Sequence, residues 1–377
     1  MIQIDGVYQK VVKQSNRRKI FNYIRKKRVV TKLDIARDLD LSITTVSSNV
    51  SWLTNKGFVT DNNHDSSTGG RKARLIEFNP SACFSIGVEF KETHARIVMI
   101  DLDYRIINES ILESLNLSTI PDQTMQMIDR FISGNNSDKR IAGIGISVPG
   151  IVDKEHRMLL NAPNMEVQNI DFSSVVQKYS PLPVYIENEA NCAAFAEFKD
   201  SDSKGTLCYV SITEGIGGAL IINNRLITGT SNRAGEFGHT VIERGGRKCH
   251  CGNSGCWEQY ASEQALRRMF AEKSIDLSID MAFDKYGEDS KITEIIDNYA
   301  GQIAIGLYNL FMVFDPGVII VGGSIARHES VLKPLVTDWI SRHTRLLTDR
   351  EVPVIYSSFG GDAGVIGAGV FPFTEIL

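Results

Sequence analysis

Three features are scarce or absent in this sequence. It has no run of roughly eighteen apolar residues, which a membrane-spanning helix needs. Its first residues, MIQIDGVYQKVVKQSNRRK, lack the apolar segment of a secretory signal. Cysteine is also scarce, with 6 among 377 residues. We therefore expect a cytoplasmic protein, in which clustered cysteines are more often metal ligands than disulfides.

Charge is distributed unevenly along the chain. The formal net charge is −4. Residues 1–78 carry 15 Lys and Arg against 7 Asp and Glu, a net charge of +8, and the remainder has a net charge of −12. A basic region joined to an acidic body is typical of a nucleic-acid-binding module fused to a different domain. A solvated basic surface gives the same pattern, so charge alone leaves both interpretations open.

The first two helices are predicted from periodicity in residues 1–78. SNRRKIFNYIRKKR places apolar residues on one helical face with basic residues around them. VTKLDIARDLDLS begins with Thr31 and Asp34 in the spacing of a capping box, which predicts a short second helix. The predicted core positions of the two helices are Ile20, Phe21, Ile24, Leu33, Ile35, Ala36 and Leu39.

A third helix is predicted in LSITTVSSNVSWLTNKGF, with Ser42 as its N-cap and Gly57 at its end. Its predicted core face carries Val46, Val50 and Leu53. Two short helices joined by a tight turn are typical of a helix-turn-helix, whose second helix enters the major groove. Short polar side chains on that helix can hydrogen-bond base edges. The predicted DNA-contacting residues of this helix are Thr44, Thr45, Ser48 and Asn49.

A wing follows this third helix. FVTDNN and KARLIEF are predicted to be two strands, and HDSSTGGRK is the loop between them. Arg71 and Lys72 in that loop are predicted to contact phosphates or a narrow minor groove. Together these elements favour a winged helix-turn-helix, and a small helical protein-interaction module is the alternative.

Residues 79–377 show a different pattern. Strand-like apolar runs alternate with helical segments such as EANCAAFAEF, which is typical of an α/β body with two lobes. The strand-like runs are FSIGVEF, ARIVMIDL, AGIGISVPG, PVYIEN, TLCYVSI, GALII and GVIIVGG. We interpret four glycine-rich segments as turns after these strands, at 147–153, 212–220, 319–326 and 361–369.

These patterns together resemble the ROK family, whose name stands for repressor, open reading frame and kinase. TGGRKARLIEFNP resembles the wing and linker of the family's sugar repressors. The order of the glycine-rich turns resembles the family's sugar kinase–actin architecture. The most specific segment is GEFGHTVIERGGRKCHCGNSGCWE at 235–258, which matches the family signature GExGH…CxCGxxGCxE. The resemblance covers almost the whole chain.

The signature implies a structural Zn²⁺. By the resemblance its ligands are His239, Cys249, Cys251 and Cys256. Zinc prefers four nitrogen and sulfur ligands in a tetrahedron, and four protein ligands leave no position for an activated water. His250, between two of the cysteines, is expected to point away. Three thiols without a metal are the alternative, and the other cysteines, Cys83, Cys192 and Cys208, are predicted core residues.

The resemblance also implies a sugar pocket. Carboxylates accept hydrogen bonds from sugar hydroxyls, and side-chain amides both donate and accept them. Glu189 stands where the family's kinases place an aspartate. The residues implied for sugar binding are Asn164, Asn188, Glu189, Glu236, His239 and Glu258.

The phosphate-binding turns depart from the kinase pattern. In GVEFKETHA, Glu89 replaces the first aspartate, and Lys91 and Glu92 occupy the glycine region. Glu214 lies in TEGIGGA where the kinases usually have a hydroxyl residue. Glu189 is one methylene longer than aspartate, and a displacement of about 1 Å at a reacting centre can cost roughly 100-fold in rate. We therefore expect no kinase activity.

The resulting prediction is an α/β protein with two functional parts. We expect a winged helix-turn-helix domain in residues 1–78 and a two-lobed ROK body in residues 79–377. The smaller lobe is expected at about 79–187 together with the C-terminal end, and the larger lobe at about 188–360.

The resemblance implies a sugar-responsive transcriptional repressor of carbohydrate-utilisation genes. It would bind operator DNA as a homodimer or homotetramer and be released by a monosaccharide, with xylose first among the sugars by this resemblance. One alternative is an ATP-dependent ROK sugar kinase with an added DNA-binding head. A regulator that responds to a sugar phosphate or activates transcription is a further alternative.

Overall fold

The computed structural model describes residues 2–62, 74–135, 139–162, 165–200, 205–344 and 353–376, with side chains described from Val12 onward. Its N-terminal part, here called the head, has three helices and a three-stranded antiparallel sheet of order β1-β3-β2. Its elements are α1 (Ile2–Lys27), β1 (Val29–Thr31), α2 (Lys32–Asp38), α3 (Ile43–Asn55), β2 (Val59–Asn62) and β3 (Leu75–Phe78). The two predicted wing strands are confirmed, and β1 is an additional strand.

Both predicted helix starts in the head are confirmed by their caps. The Thr31 hydroxyl oxygen accepts from the Asp34 N–H at 3.2 Å, and the Asp34 carboxylate accepts from the Thr31 N–H at 3.1 Å. The Ser42 hydroxyl oxygen accepts from the Thr45 N–H at 3.2 Å. These bonds satisfy N–H groups that have no partner within the first turn of a helix.

The predicted core of the head is confirmed with one exception. Leu33 is 69% exposed, although it was predicted to be a core residue. Residues two positions apart on a helix point about 200° away from each other. Since Ile35 faces the core, Leu33 faces solvent. Ala36 and Leu39 are half-buried and pack against the same core. The fully buried predicted positions are Ile20, Phe21, Ile24, Ile35, Val46, Val50 and Leu53.

The body contains a first five-stranded sheet of order β11-β7-β4-β5-β6. Beside it lies a small antiparallel sheet of order β10-β9-β8. The elements of this region are β4 (Phe84–Phe90), β5 (Ala95–Asp101), β6 (Ile106–Leu112), α4 (Ile120–Gly134), β7 (Ile141–Val148), β8 (Ile151–Asp153), β9 (Met158–Ala162), β10 (Val167–Asp171), α5 (Ser173–Lys178) and β11 (Val184–Asn188).

A second five-stranded sheet, of order β14-β13-β12-β15-β16, completes the body. Every strand-like run predicted in the body forms a strand of one of the two large sheets. The remaining elements are α6 (Glu189–Asp200), β12 (Thr206–Ile212), β13 (Ile216–Ile222), β14 (Arg225–Ile227), α7 (Glu258–Ala261), α8 (Glu263–Glu272), α9 (Ile279–Asp284), α10 (Ser290–Phe314), β15 (Val318–Gly322), α11 (Glu329–Thr344), β16 (Val354–Tyr356), α12 (Ala363–Val370) and α13 (Phe373–Ile376).

One of the four predicted glycine-rich turns is a helix instead. Most of 361–369 belongs to α12, which packs between the first sheet and α6. A Cβ atom at Gly145 would lie 1.9 Å from the Ala368 carbonyl oxygen, and one at Gly367 would lie 1.8 Å from the Cys192 carbonyl oxygen. The glycines therefore serve close packing, because no side chain fits between these backbones.

The head is packed directly on the body. Phe21 and Phe58 of the head belong to the same hydrophobic core cluster as Ile100 and Phe373 of the body. Arg25, only 2% exposed, extends from α1 to the end of α6 and donates at 3.1 Å to both the Lys199 carbonyl oxygen and the Asp200 carboxylate.

A second carboxylate joins the head to the body. Asp103, in the turn between β5 and β6, forms ion pairs with both Arg25 and Arg28. Within the described residues, no helix is long and apolar enough to cross a membrane.

Candidate functional site

Four predicted metal ligands come together beside the second sheet. His239 ends a short 3-10 turn, and the three cysteines lie in the irregular segment before α7. The Cys249 sulfur lies 3.7 Å from His239 Nδ1, and the sulfurs of Cys251 and Cys256 are also 3.7 Å apart. All four ligand atoms lie within 4.8 Å of one another.

These distances fit a metal ion. Two sulfurs each about 2.3 Å from a tetrahedral centre are about 3.8 Å apart, close to the separation found. The backbone folds tightly enough because Gly252 and Gly255 have φ angles of +89° and +82°, which favour glycine. The cluster can therefore hold a metal ion with nitrogen and sulfur ligands.

His250 was expected to point away from the cluster, but in the structure it lies beside it. Its Nδ1 lies 4.0 Å from the Cys249 sulfur and 3.3 Å from Glu258 Oε1. His250 lies next to Glu258, a carboxylate that begins α7 and is 4% exposed. Its Oε1 accepts from the Cys249 thiol at 2.9 Å. His239, His250 and Glu258 therefore form an alternative ligand set.

His239 connects the metal cluster with the candidate sugar residues. Its Nδ1 faces the cysteine sulfurs, whereas its Nε2 lies 3.8 Å from Glu236 Oε2. Glu258 also has neighbours on two sides. Its Oε1 contacts Cys249 of the metal cluster, and its Oε2 would lie 3.2 Å from a Cβ on Gly215 in the turn before β13. The structure therefore groups Glu236, His239 and Glu258, and a metal bound to His239 would fix the imidazole orientation.

Asn188 and Glu189 lie where β11 passes into α6. The Asn188 Oδ1 accepts from the backbone N–H groups of Ala190 and Asn191, and its Nδ2 donates to the Gly150 carbonyl oxygen at 2.7 Å. This side chain therefore caps α6, and one of its amide N–H groups has no partner among the described residues. Asn164, the other amide implied for sugar binding, lies outside the described residues.

The turn before β13 connects these two groups of residues. A Cβ on Gly217 would lie 3.3 Å from the Ala190 side chain at the start of α6, while Gly215 neighbours Glu258. This turn therefore lies between the start of α6 on one side and the residues next to the metal cluster on the other. We call the space beside this turn the effector cleft.

Lys91, just after β4, forms ion pairs with two carboxyl groups. Its ammonium lies 2.5 Å from Glu189 Oε1 and 3.1 Å from Glu89 Oε1. Gly364 at the start of α12 makes room for Glu89, because a Cβ there would lie 2.1 Å from Glu89 Oε1. The turn after β4 thus carries an ion-pair network of Lys91 with Glu89 and Glu189.

Burial and charge oppose each other in this network. Burial raises the pKa of the Glu89 carboxyl to about 7, while the Lys91 ammonium acts to lower it. For Lys91, burial alone would lower the pKa, but the charges of Glu189 and Glu89 raise it above its ordinary value. Lys91 is therefore held as a cation between the two carboxyl groups.

The predicted DNA-contacting residues separate into two groups. Thr44 and Ser48 are exposed on α3, and Thr45 is half-buried with its hydroxyl 2.8 Å from the Ser42 hydroxyl. Asn49 is only 2% exposed, which corrects its predicted position on the outer face. It lies four residues before buried Leu53, so both share the core face of the helix.

The wing residues Arg71 and Lys72 lie outside the described residues. Two further contacts were missed in the sequence, those between Lys91 and Glu189 and between Arg25 and Asp200. Their partners are 98 and 175 positions apart. No local spacing pattern connects side chains so distant in the chain.

Comparisons with known proteins agree with this fold. The ROK family profile matches residues 85–372, and a winged helix-turn-helix DNA-binding profile matches residues 14–60. The chain belongs to the ROK family. The predicted fold, a winged helix-turn-helix followed by a ROK body, is confirmed.

Individual relatives resemble the chain over its whole length or over the body. The xylose repressor of Bacillus subtilis is 34% identical, covering 97% of this chain and 96% of the relative. A ROK family transcriptional regulator, homologous to the Escherichia coli MLC protein, has the same fold with a TM-score of 0.75, 21% identity and 96% coverage of both chains. A Streptomyces griseus ROK glucokinase in complex with glucose and AMPPNP has a TM-score of 0.62 and 27% identity, covering 76% of this chain and 98% of the kinase.

The two alternative ligand sets predict different effects of substitution. Cys251→Ser should release the metal and lower the melting temperature, because it removes a ligand from the four-residue set. His250→Ala should keep the metal, because His250 lies outside that set. Elemental analysis and thermal melting of the purified full chain measure both effects. Metal retained in Cys251→Ser but lost in His250→Ala would contradict the four-residue set.

Proposed function

We propose that the chain is a transcriptional repressor that a monosaccharide releases from operator DNA. The head supplies a winged helix-turn-helix, and the body supplies a cleft with sugar-binding residue types. The observation that carries this proposal is full-length similarity to a xylose repressor, at 34% identity over 97% of the chain. The kinase structure, by contrast, aligns with only 76% of the chain.

Xylose is the first candidate effector, because it is named in the full-length relative. The cleft offers the carboxylates of Glu236 and Glu258, the His239 imidazole and one amide N–H of Asn188. Carboxylates accept from hydroxyls and the amide donates to them, so neighbouring sugar hydroxyls can be bound from two sides. Asn164 and Glu189 complete the proposed set of sugar ligands.

The metal is proposed to be a structural Zn²⁺ held by His239, Cys249, Cys251 and Cys256. Three thiolates and one imidazole are the ligand chemistry that zinc prefers, and four protein ligands close the coordination sphere. The role of the ion is to fix His239 and the segment that leads into Glu258. These residues then meet the sugar in a preset geometry.

Kinase activity is not part of this proposal. A catalytic base must be free to accept the proton of the attacking hydroxyl. Here the ammonium of Lys91 lies 2.5 Å from Glu189, and Lys91 also replaces the glycine that would approach a phosphate. Glu214 is engaged as well, in an ion pair with Arg267. The body therefore keeps sugar-binding residues in the cleft without a working site for phosphoryl transfer.

Operator recognition is assigned to α3 and the wing. Thr44, Thr45 and Ser48 are proposed to contact base edges, while Arg71 and Lys72 contact phosphates or the minor groove. Helix-turn-helix proteins pair with symmetric half-sites, so we propose a homodimer or homotetramer that binds a palindromic operator.

Helix α6 provides a direct path from the cleft to the head. It begins at Glu189 in the effector cleft and ends at Asp200, which Arg25 of the head contacts at 3.1 Å. A sugar can alter DNA binding only if it binds one arrangement of head and body more tightly than another. Movement of α6 upon sugar binding would change its contact with Arg25 and hence the orientation of the head.

The proposed function has a direct test on one preparation of the full chain. In a gel shift with operator DNA, xylose or another monosaccharide should release the DNA. A coupled assay should detect no sugar-dependent ADP release. Glu236→Gln should weaken the sugar response roughly tenfold, because a charged hydrogen-bond acceptor is lost from the cleft.

The matched control for this variant is Glu288→Gln, which changes an exposed carboxylate before α10. It should leave the sugar response unchanged. Sugar-dependent ADP release would favour the kinase alternative. Operator binding that no sugar relieves would remove the regulatory role from the cleft.

The path through α6 makes a separate prediction. Asp200→Asn should leave sugar affinity unchanged but reduce the effect of saturating sugar on operator affinity by about twofold to thirtyfold, because it weakens the contact with Arg25. Titration of operator DNA with and without sugar measures this ratio. Arg105→Met is the control, since Arg105 pairs with Asp103 from the body side alone. An unchanged ratio in Asp200→Asn would exclude this contact as the path.

A further inference from the structure

A cavity lies at the seam between head and body. Its volume is about 470 Å³, within the usual range of small-molecule sites. The head contributes α1 and α3 to its wall, and the body contributes the end of α6, the turn after β13 and α13. Among its lining residues are Arg17, Arg18, Trp52, Phe195, Lys199 and Asn224.

Three cations of this cavity lack a carboxylate partner. Among the described residues, neither Arg17, Arg18 nor Lys199 forms an ion pair. Arg18 donates to the Thr374 carbonyl oxygen at 3.1 Å. Among the described residues, the one carboxylate that lines the cavity is Glu375, which accepts from the Tyr185 hydroxyl at 2.7 Å. The cavity wall therefore carries an excess of positive charge.

The environments of Arg17 and Lys199 indicate that their charge is costly. The guanidinium of Arg17 stacks over Trp52 at 3.6 Å, and its Nε is buried without a hydrogen-bond partner in the described part of the chain. Burial, together with the charge of Arg18, lowers the pKa of Lys199 to about 8. A buried donor without a partner and a destabilised ammonium are both improved by a bound anion.

We propose that this cavity binds a phosphate monoester of a small metabolite, as a second ligand site separate from the effector cleft. Guanidinium groups match the oxygens of a phosphate in a bidentate manner, and an ammonium adds a point charge. Phe195 and Phe371 offer apolar surface for the organic part of the ligand.

The location gives such a ligand a regulatory role. Arg17 and Arg18 belong to the head, whereas Lys199 belongs to α6 of the body, so one phosphate would join the two parts. Lys199 lies ten residues after Glu189, which places the cavity about 15 Å from the effector cleft along the same helix. A phosphate monoester would therefore stabilise the packed arrangement of head on body and shift the operator affinity.

Calorimetric titration of the full chain tests this proposal, with inorganic phosphate and ribose 5-phosphate as probes and chloride added to hold ionic strength constant. Both probes should bind saturably, and free ribose should not compete with them. Lys199→Gln and Arg18→Gln should each weaken binding roughly tenfold, since each removes a charged hydrogen bond. Lys285→Gln removes an exposed lysine near α9 and should have no effect.

Several results would overturn the proposal. Absence of saturable binding would do so, and so would phosphate binding that Lys199→Gln leaves unchanged, because the anion would then sit elsewhere. Operator binding separates a metabolite from the DNA backbone as the source of the phosphate. If Lys199→Gln weakens operator binding in phosphate-free buffer, the cations contact DNA and the cavity is not a metabolite site.

Discussion

Helix α6 is fixed at both of its ends, and the link between cleft and head depends on this constraint. At its start, Asn188 caps the helix and Lys91 pairs with Glu189 at 2.5 Å. At its end, Arg25 of the head pairs with Asp200 at 3.1 Å. A helix of 12 residues is about 18 Å long and transmits a shift as a rigid rod. We propose that a ligand that displaces the start of α6 acts on the head through this helix.

Local patterns in the sequence predicted the elements and the metal cluster well. The pair Thr31 and Asp34 marks the start of α2 because the capping bonds join residues only three apart. The apolar runs of the body predicted its sheet strands, because a strand buried on both faces has a nearly continuous apolar sequence. Cys249, Cys251 and Cys256, which the resemblance to the family signature implied as ligands of one ion, do lie together in the structure.

Long-range contacts were beyond prediction from the sequence. The position of Asn49 depends on which face of α3 packs against the rest of the head. Because the Asn49 side chain is polar, the sequence did not indicate that it lies on the buried face of α3. The glycines of 361–369 predicted a turn because close helix packing and turns require the same residue. The sequence showed that the turn containing Lys91 departs from the kinase pattern, but it did not show that Lys91 pairs with Glu189. That pair forms because β4 and β11 lie in the same sheet.

We propose that sugar in the effector cleft and operator DNA on the head oppose each other through the fold. Thermodynamic linkage requires the effect to be reciprocal. The most direct measurement is calorimetric titration of xylose into the free protein and into its operator complex. Xylose should bind the complex more weakly, by the same factor by which saturating xylose weakens operator binding. Equal xylose affinity in the two states would contradict it.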